Sequence, residues 1–270
     1  MPVTMSVFPS PAYLVLSACL ACSMPLVRAE PPSSPVAKPW KLIWQDDFDQ
    51  ASLNKKNWSR CKRGRSDWNN TMSDDPRLLK IENGILQLRG IVNDKADDPA
   101  PFITAGVTSK GKFSFNYGKV QIRARFKSAQ GAWPALWMLG VKGQWPQNGE
   151  IDLMEHLNFD HKIYQTVHSE YTTKLDKTNT PKKGGTAPIK RDDWNTYGAE
   201  WDADKIVFTV NGKATHTYPR VPSKGPEQYP FKQPFYFLLS MQIGGKWVGQ
   251  ADPAQYPAWM EIDWVRVYQK

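Results

Sequence analysis

The segment Gly-Glu-Ile-Asp-Leu-Met-Glu-His, residues 149–156, guides the interpretation of the whole chain. On a β-strand, Glu150 and Asp152 share one face, and the apolar residues beside them point to the other side. Glu155 has the wrong parity, and a regular strand would bury its carboxylate without a partner at a high free-energy cost. One extra residue at Leu153–Met154, a β-bulge, would turn Glu155 to the face of the other two acids. We therefore predict a bulged strand with three carboxylates on one face.

Three carboxylates on one face cannot all stay ionised at low cost, so at least one pKa should rise. After the bulge, the Cα atoms of Glu150 and Glu155 should lie about 13 Å apart. Two long side chains that lean together can reduce this to the ~5–5.5 Å between the carboxyls of a retaining glycosidase. In that mechanism Glu150 is the nucleophile and Glu155 the acid/base. Asp152 hydrogen-bonds the nucleophile and tunes both charges.

Outside this segment, residues 41–270 consist of short β runs separated by turn residues, with no convincing helical period and no internal repeat. Such a chain must bury two sheet faces, so we predict an all-β domain of two stacked antiparallel sheets. The predicted strands are Lys41–Gln45, Ile81–Leu88, Thr104–Lys110, Lys119–Phe126, Ala135–Leu139, Glu150–His156, Ile163–His168, Tyr197–Trp201, Ile206–Val210, Phe235–Gln242 and Met260–Tyr268.

Turn and loop signals complete this prediction. Asn211-Gly212 joins two short β runs within residues 205–218 and fits a type I′ hairpin turn. Three longer polar segments, Cys61–Arg77, Ile91–Ile103 and Thr172–Asp193, interrupt the strands. Loops of this length are uncommon unless they bind something or move, so we expect them to form the walls of a cleft.

The composition indicates a protein that offers flat apolar faces to a ligand. The 270 residues include 12 Trp, 10 Tyr and 11 Phe, more indoles than a core alone needs, and sugar rings are the commonest ligand with a matching shape. The formal net charge is +9, and the cations are spread out, with one denser stretch from Lys174 to Arg191. No basic helix or block is present, so we do not expect a nucleic-acid partner. An anionic glycan remains an alternative ligand for the positive charge.

The first residues are expected to direct export. Residues 1–29 resemble a signal peptide that ends in Val-Arg-Ala, although a lipoprotein signal that ends before Cys19 is an alternative. Residues 30–40 form a Pro-rich linker, and the domain covers residues 41–270. We expect a secreted, periplasmic or lipid-anchored monomer without a transmembrane domain. Removal of residues 1–29 would leave Cys61 as the one remaining cysteine of this sequence, and we interpret it as structural.

The ordered motifs resemble glycoside hydrolase family 16. Glu-Ile-Asp-Leu-Met-Glu at residues 150–155 is similar to its bulged E-x-D-x-x-E signature, and nearly all of residues 40–270 is covered in the family's order. The other matching segments are residues 44–48, 117–119, Arg123, 131–139, 243–247 and 262–268. The resemblance implies a β-jelly-roll sandwich with a concave substrate cleft. It also implies the nucleophile, assisting and acid/base roles already given to the three acids.

The resemblance implies further site residues and no cofactor for catalysis. Asp263 matches the position of a structural calcium ligand in many members of the family. His168 is expected to bind substrate or Glu155. The expected substrate-binding residues are Trp68, Asn69, Arg123, Trp133, Trp137, Trp145, His168, Gln242 and Trp247.

The substrate is expected to be a polysaccharide or a glycoprotein O-glycan. Residues 67–76 and 240–242 depart from the β-1,3-glucanases and look more like members that cut β-galactosyl linkages in host mucin O-glycans, of the poly-N-acetyllactosamine type. Three alternatives remain: an endo-β-1,3-glucanase (laminarinase), a non-catalytic carbohydrate-binding sandwich, and a metal-centred hydrolase that uses Asp152, Glu155 and His168. Fold alone does not determine substrate.

Overall fold

Alternating apolar and polar residues form most of the secondary structure, as predicted. A computed structural model describes residues 38–270. Its strands are β1 (Lys41–Asp46), β2 (Ser59–Arg60), β3 (Leu79–Glu82), β4 (Ile85–Val92), β5 (Phe102–Thr104), β6 (Gly106–Thr108), β7 (Gly118–Lys127), β8 (Ala132–Gly140), β9 (Glu150–Glu155), β10 (Lys162–His168), β11 (Gly184–Pro188), β12 (Asn195–Trp201), β13 (Lys205–Val210), β14 (Lys213–Pro219), β15 (Phe235–Ile243) and β16 (Ala258–Gln269). The described helices are short: 3₁₀ turns at Pro76–Leu78, Pro222–Lys224, Pro226–Gln228 and Pro253–Gln255, and a π turn at Tyr171–Leu175.

The strands form two antiparallel sheets, which confirms the predicted jelly-roll sandwich. The nine-stranded sheet has the order β14-β13-β12-β7-β16-β4-β3, with β1 paired to β16 and β5 paired to β4. The seven-stranded sheet has the order β11-β10-β9-β8-β15-β6-β2. The strand with the three acids, β9, therefore lies between β8 and β10, well inside the second sheet.

The core lies between the two sheets. In β7, every second residue is buried (Val120, Ile122, Ala124 and Phe126), and the residues between them are partly exposed. This period of two is the pattern of a strand with one face on the core and one face outward. The sandwich therefore leaves an outer face on each sheet, and the acids lie on the outer face of the seven-stranded sheet.

The predicted bulge in β9 is confirmed. Ala135 of β8 pairs with Glu155, but Trp137, two residues later, pairs with Asp152, so β9 carries one extra residue between these pairs. The register with β10 shifts at the same place. The extra residue lets Leu153–Met154 stay fully buried in the core. Glu155 consequently regains the outward face of the sheet.

Three predicted elements were wrong in detail. Thr104–Lys110 is not one strand, because it contains the end of β5 and the whole of β6, which lie in different sheets. Ile81–Leu88 is not one strand but parts of β3 and β4, because Asn83-Gly84 forms a turn with φ values of +52° and +72°. The predicted loop Thr172–Asp193 contains β11, which pairs with β10 at the edge of the sheet. Its Gly-Gly-Thr-Ala-Pro sequence has weak strand propensity, so only the pairing with β10 explains the strand. The hairpin at Asn211-Gly212 is confirmed.

The predicted signal peptide, with its lipoprotein alternative, and residues 30–37 of the linker lie outside the described residues. Within residues 38–270, none of the helices has the length and hydropathy needed to span a bilayer. Cys61 is buried and unpaired, and burial raises the pKa of its thiol to about 12. A thiol with so little thiolate at neutral pH is a poor nucleophile, which agrees with a structural role.

Candidate active site

A cavity of about 320 Å³ covers the outward face of β8 and β9. Every second residue of β8 from Trp133 to Leu139 lines it, because alternate side chains of a strand share a face. Glu150, Asp152 and Glu155 line the same cavity. The complete lining is Ser66, Trp68, Trp133, Ala135, Trp137, Leu139, Trp145, Glu150, Asp152, Glu155 and Gln242. The fold thus places the three acids in one aromatic-walled cavity.

Each of the two outer acids accepts a hydrogen bond from an indole N–H. The Nε1 of Trp145 donates to Oε2 of Glu150 at 2.6 Å, and the Nε1 of Trp133 donates to Oε1 of Glu155 at 3.1 Å. A hydrogen bond to a carboxylate favours its ionised form. The 2.6 Å bond from Trp145 therefore stabilises ionised Glu150 more than the 3.1 Å bond from Trp133 stabilises ionised Glu155.

Asp152 is the most enclosed of the three acids and lies beside His168. Its Oδ2 is 3.4 Å from Nε2 of His168, a close contact without hydrogen-bond geometry. One atom each from Glu150, Asp152 and His168 lie within 4.8 Å of one another. His168 thus contacts the middle acid and approaches Glu150, whereas the sequence led us to expect a contact with Glu155 or with substrate.

Burial in the cavity raises the pKa of all three carboxyls. The pKa of Glu150 rises to about 8 through burial and the nearby charge of Asp152, and that of Glu155 rises to about 7 through burial and the charge of Glu150. Burial also raises the pKa of Asp152 well above its usual range. Carboxyl oxygens of Glu150 and Asp152 lie within 4.8 Å of each other, so a retained proton can lie on either of them. The Trp145 bond favours the state with that proton on Asp152 and an ionised Glu150.

These shifts predict that the protein loses stability as pH rises from about 4.5 to about 8. In that window the folded state keeps one proton on the Glu150–Asp152 pair and another on Glu155, whereas the carboxyls of the unfolded chain, with pKa values of 4.5 or below, have released theirs. The free energy of unfolding then falls with increasing pH. We expect the double variant Glu150→Gln/Glu155→Gln to flatten the dependence of Tm on pH over this window. Equal slopes for the variant and the native protein would contradict the proposed shifts.

An aromatic wall surrounds the acids, as the tryptophan content suggested. Trp137 packs edge-on against Trp68 with 5.0 Å between ring centroids, and its Nε1 donates to Oγ of Ser240 at 3.1 Å. Trp145 and Trp247 keep 52% and 47% of their surface exposed. Trp247 contacts Trp133 edge-on at 5.4 Å. Of the tryptophans predicted to stack on sugars, all except Trp247 line the cavity itself.

Gln242 and Asn69, both predicted to bind substrate, have different positions. Gln242 lines the cavity and donates from Nε2 to the carbonyl of Trp133 at 3.4 Å. Asn69 is not among the lining residues of the cavity, and its Oδ1 accepts from the backbone N–H of Ser66 at 3.2 Å. Asn69 thus shapes the loop that brings Ser66 and Trp68 to the cavity, and its predicted contact with substrate stays a prediction.

The prediction for Arg123 is corrected. It lies on β7 in the other sheet, between the buried residues Ile122 and Ala124, so its side chain points away from the core on the outer face of the nine-stranded sheet. There it forms an ion pair with Asp263 and lies 4.7 Å from the ring centre of Trp194. The sandwich separates this face from the acids, and Arg123 does not reach the cavity.

The contact with Arg123 also bears on the calcium expected at Asp263. The carboxylate already accepts from a permanent guanidinium cation, which competes with a metal ion for the same oxygens. Within residues 38–270, Asp263 belongs to no group of three or more His, Cys, Asp or Glu ligand atoms. Asp263 is thus held by Arg123, and the calcium expected at this position stays a prediction.

The location of Arg123 leads to a direct test. We expect Arg123→Ala to leave kcat/KM within about twofold of the native value, because the side chain does not contact the cavity. Tm should fall slightly, since an exposed ion pair and a cation–π contact each contribute up to about 1 kcal/mol. Steady-state kinetics and thermal unfolding measure both quantities. A tenfold loss of kcat/KM at unchanged Tm would restore a role for Arg123 in substrate binding.

Sequence reasoning missed part of the site. Ser66, Ala135 and Leu139 line the cavity, and the parity of β8 with Trp133 and Trp137 could have identified the last two. Of the three polar segments predicted to wall the cleft, residues 61–77 supply Ser66 and Trp68 to this cavity. Segments 91–103 and 172–193 supply none of its lining among the described residues.

Comparison with known proteins places this geometry in a family. The family model described as Glycosyl hydrolases family 16 matches residues 65–266. The chain is 37% identical to the keratan-sulfate endo-1,4-beta-galactosidase of Sphingobacterium multivorum over 235 residues, which are 85% of this chain and 55% of that protein. It is 32% identical to the beta-glucanase of Rhodothermus marinus over 273 residues, which are 94% of this chain and 93% of that protein.

A solved structure supports the same assignment. The laminarinase from Rhodothermus marinus matches with a TM-score of 0.75 and 29% identity, covering 86% of this chain and 98% of that chain. The family resemblance inferred from the signature is thus confirmed over most of the chain by sequence and by fold. The chain belongs to glycosyl hydrolases family 16 and is a glycoside hydrolase of the endo-β type.

Proposed function

We propose that this enzyme cleaves internal β-linkages with retention, by double displacement. The observation that carries the proposal is the bulge in β9, which turns Glu150, Asp152 and Glu155 into one cavity. A sugar-binding sandwich has no need for three buried acids, because their burial costs stability. A catalyst needs them, because one acid must be ionised while another keeps its proton.

The proposed reaction uses the two outer acids in turn. Glu150, ionised with the help of the Trp145 N–H, attacks the anomeric carbon as the bond to the leaving oxygen breaks. Glu155 gives its proton to that oxygen, and a glycosyl-enzyme forms on Glu150. Glu155 then takes a proton from water, which attacks the anomeric carbon and releases Glu150. Asp152 keeps the proton that these two neighbouring carboxyls retain while the charge on Glu150 changes.

We propose β-galactosyl linkages of poly-N-acetyllactosamine-type chains, as in mucin O-glycans, as the substrate. The 37% identity to a keratan-sulfate endo-1,4-beta-galactosidase supports this choice, although the chain spans 55% of the length of that relative. The departures from β-1,3-glucanases include residues at the cavity: Trp68 and Gln242 line it, and Ser240 holds the indole of Trp137. In the proposal Trp68 and Gln242 contact the bound sugar and Ser240 positions Trp137, so all three bear on specificity.

An endo-β-1,3-glucanase is the second candidate, because the beta-glucanase and laminarinase of Rhodothermus marinus match over nearly their full lengths. Digestion of laminarin, poly-N-acetyllactosamine and mucin O-glycans in parallel separates the two. We expect oligosaccharides from the galactose-containing chains at a kcat/KM at least about tenfold above that on laminarin, a difference of ~1.4 kcal/mol in transition-state binding. Release of products from laminarin alone would overturn the substrate proposal and leave the mechanism intact.

The same digestion tests the metal-centred alternative. The described residues contain one group of three potential ligands, Glu150, Asp152 and His168, which differs from the predicted trio by having Glu150 in place of Glu155. Double displacement by carboxylates needs no metal. We expect activity to survive exhaustive treatment with a chelator, and a loss that Zn²⁺ restores would favour the metal mechanism.

A further inference from the structure

The indole that donates to Glu150 lies on an exposed loop. Residues 141–149 connect β8 to β9, and Trp145 lies near the middle of this loop with 52% of its surface exposed. Its ring centre is 6.2 Å from that of His168. Exposed side chains change rotamer readily, on the picosecond to nanosecond scale. The 2.6 Å bond to Glu150 therefore depends on a loop that keeps Trp145 in place.

Two amide side chains fix the ends of this loop. Oε1 of Gln233 accepts from the backbone N–H of Lys142 at 2.7 Å, and its Nε2 donates to the carbonyl of Asn148 at 2.9 Å. Asn148 in turn donates from Nδ2 to the carbonyl of Gly140 at 2.9 Å. These bonds hold residues 140–142 and 148, and residues 143–147, which include Trp145, lie between them.

The middle of the loop is held by Glu170. Nε2 of Gln147, two residues after Trp145, donates to Oε1 of Glu170 at 2.9 Å, and the same oxygen lies 3.5 Å from Nζ of Lys174. Among the hydrogen bonds formed within residues 38–270, this bond and the Trp145–Glu150 bond are the two that join residues 143–147 to another segment. We call the Gln147–Glu170 bond the loop tether.

Glu170 itself is carried by a well-ordered turn. It precedes the π turn that follows β10. The backbone N–H of Ser169 donates to Oγ1 of Thr172 at 2.9 Å, and the backbone N–H of Thr172 donates to Oγ of Ser169 at 3.2 Å. Ser169 and Thr172 are both buried. Glu170 is also two residues after His168, which pairs with Glu150, so the tether is anchored to the strand beside the acids.

We propose that Glu170 is a positioning residue, which holds the Trp145 indole on Glu150 through the loop tether. The inference rests on the proposed role of Glu150 as nucleophile. The contacts and the chain close into a ring around this carboxylate, made of Glu150, Trp145, Gln147, Glu170 and His168. Without the tether, the indole N–H is on Glu150 for a smaller fraction of the time. The carboxylate then reaches the geometry of attack less often, and the reaction slows.

Removal of either partner of the tether tests the proposal. We expect Gln147→Ala and Glu170→Ala each to lower kcat/KM by about fivefold on the glycan that the native enzyme cleaves, the effect of losing one partly exposed hydrogen bond to a charged group. Gln147→Ala changes no charge, so an equal loss in both variants excludes an effect of the Glu170 charge alone. Glu170→Gln keeps an oxygen that accepts from Gln147, and its kcat/KM should stay within about twofold of the native value.

The tether should act only through the indole N–H. Trp145→Phe keeps an aromatic ring and removes the donor, so adding Glu170→Ala to it should cost less than about twofold, because residues that act through one link are not additive. A further fivefold loss in that background would overturn the proposal, as would native-like kinetics of both alanine variants. Glu82→Ala is the matched control, since it removes an exposed acid paired with Lys80 at 2.6 Å on the other sheet. Its kcat/KM should equal the native value.

Hydrogen exchange separates this inference from the proposed function, because it needs no turnover. Mass spectrometry follows the exchange of the backbone N–H groups of residues 143–149 in each protein. We expect faster exchange in Gln147→Ala and Glu170→Ala than in the native chain and Glu170→Gln. Unchanged exchange would overturn the tether, whether or not a glycan is hydrolysed. Faster exchange in a chain that hydrolyses none of the glycans would overturn the proposed function and leave the tether in place.

Discussion

Glutamine at position 150 is expected to lower kcat/KM by about 10⁴-fold or more, because an amide does not form the glycosyl-enzyme. The substitution keeps the size of the side chain and still accepts a hydrogen bond from Trp145. It also removes a carboxyl whose ionisation is costly because it is buried. The Tm at neutral pH should therefore stay the same or rise. Steady-state kinetics with thermal unfolding distinguish a lost nucleophile from a lost fold. The bound sugar should still be detectable by titration.

Two comparisons make the Glu150 result specific. Glu200→Gln changes a partly exposed acid on β12 of the other sheet, and its kcat/KM should match the native value. In Glu150→Ala, azide has room to attack the anomeric carbon of an activated aryl glycoside, and the product should be the α-glycosyl azide, with inverted configuration. Native-like turnover by Glu150→Gln would contradict the nucleophile role. Absence of turnover in the native chain, together with tight glycan binding, would instead favour a carbohydrate-binding sandwich.

The bulge could be predicted from the sequence because the cost of burying a charge is large. An unbroken strand would have put the Glu155 carboxylate among the core residues, and no nearby cation was available to pair with it. The position of the bulge followed from Leu153–Met154, since both are apolar and both are buried. The alternation of side chains along the strand and the cost of burying one carboxylate were therefore enough to predict the bulge.

The hydrogen bonds of the acids could not be predicted in the same way, because they depend on which strands are neighbours. Trp133 reaches Glu155 because β8 pairs with β9 in a register that places Ala135 opposite Glu155. Arg123 was misplaced for the same reason. Its motif matched the family, but strand order puts β7 in the other sheet, where Asp263 is its partner. Sequence motifs identify residue types, and sheet order determines which of them meet.

Glutamine at position 155 is expected to lower kcat/KM on natural glycans by about 10²- to 10⁴-fold, because it removes the proton donor for the leaving oxygen. The cavity holds the pKa of Glu155 near 7, so this carboxyl keeps a large share of its proton at neutral pH. The native pH profile should lose activity at alkaline pH as that proton leaves. In Glu155→Gln this alkaline limb should disappear, and pH–rate measurements on both proteins test it.

The two glutamine variants should also differ in a way that assigns their roles. An aryl glycoside with an acidic leaving group needs little protonation, so Glu155→Gln should form the glycosyl-enzyme on Glu150 and then stall, because no base activates water. Intact-protein mass spectrometry should detect the trapped sugar, and azide should release it as the β-glycosyl azide with net retention. Glu150→Gln should trap nothing under the same conditions. If the adduct instead accumulated in Glu150→Gln, the two carboxyls would have to exchange roles, and the shorter indole hydrogen bond would mark the acid rather than the nucleophile.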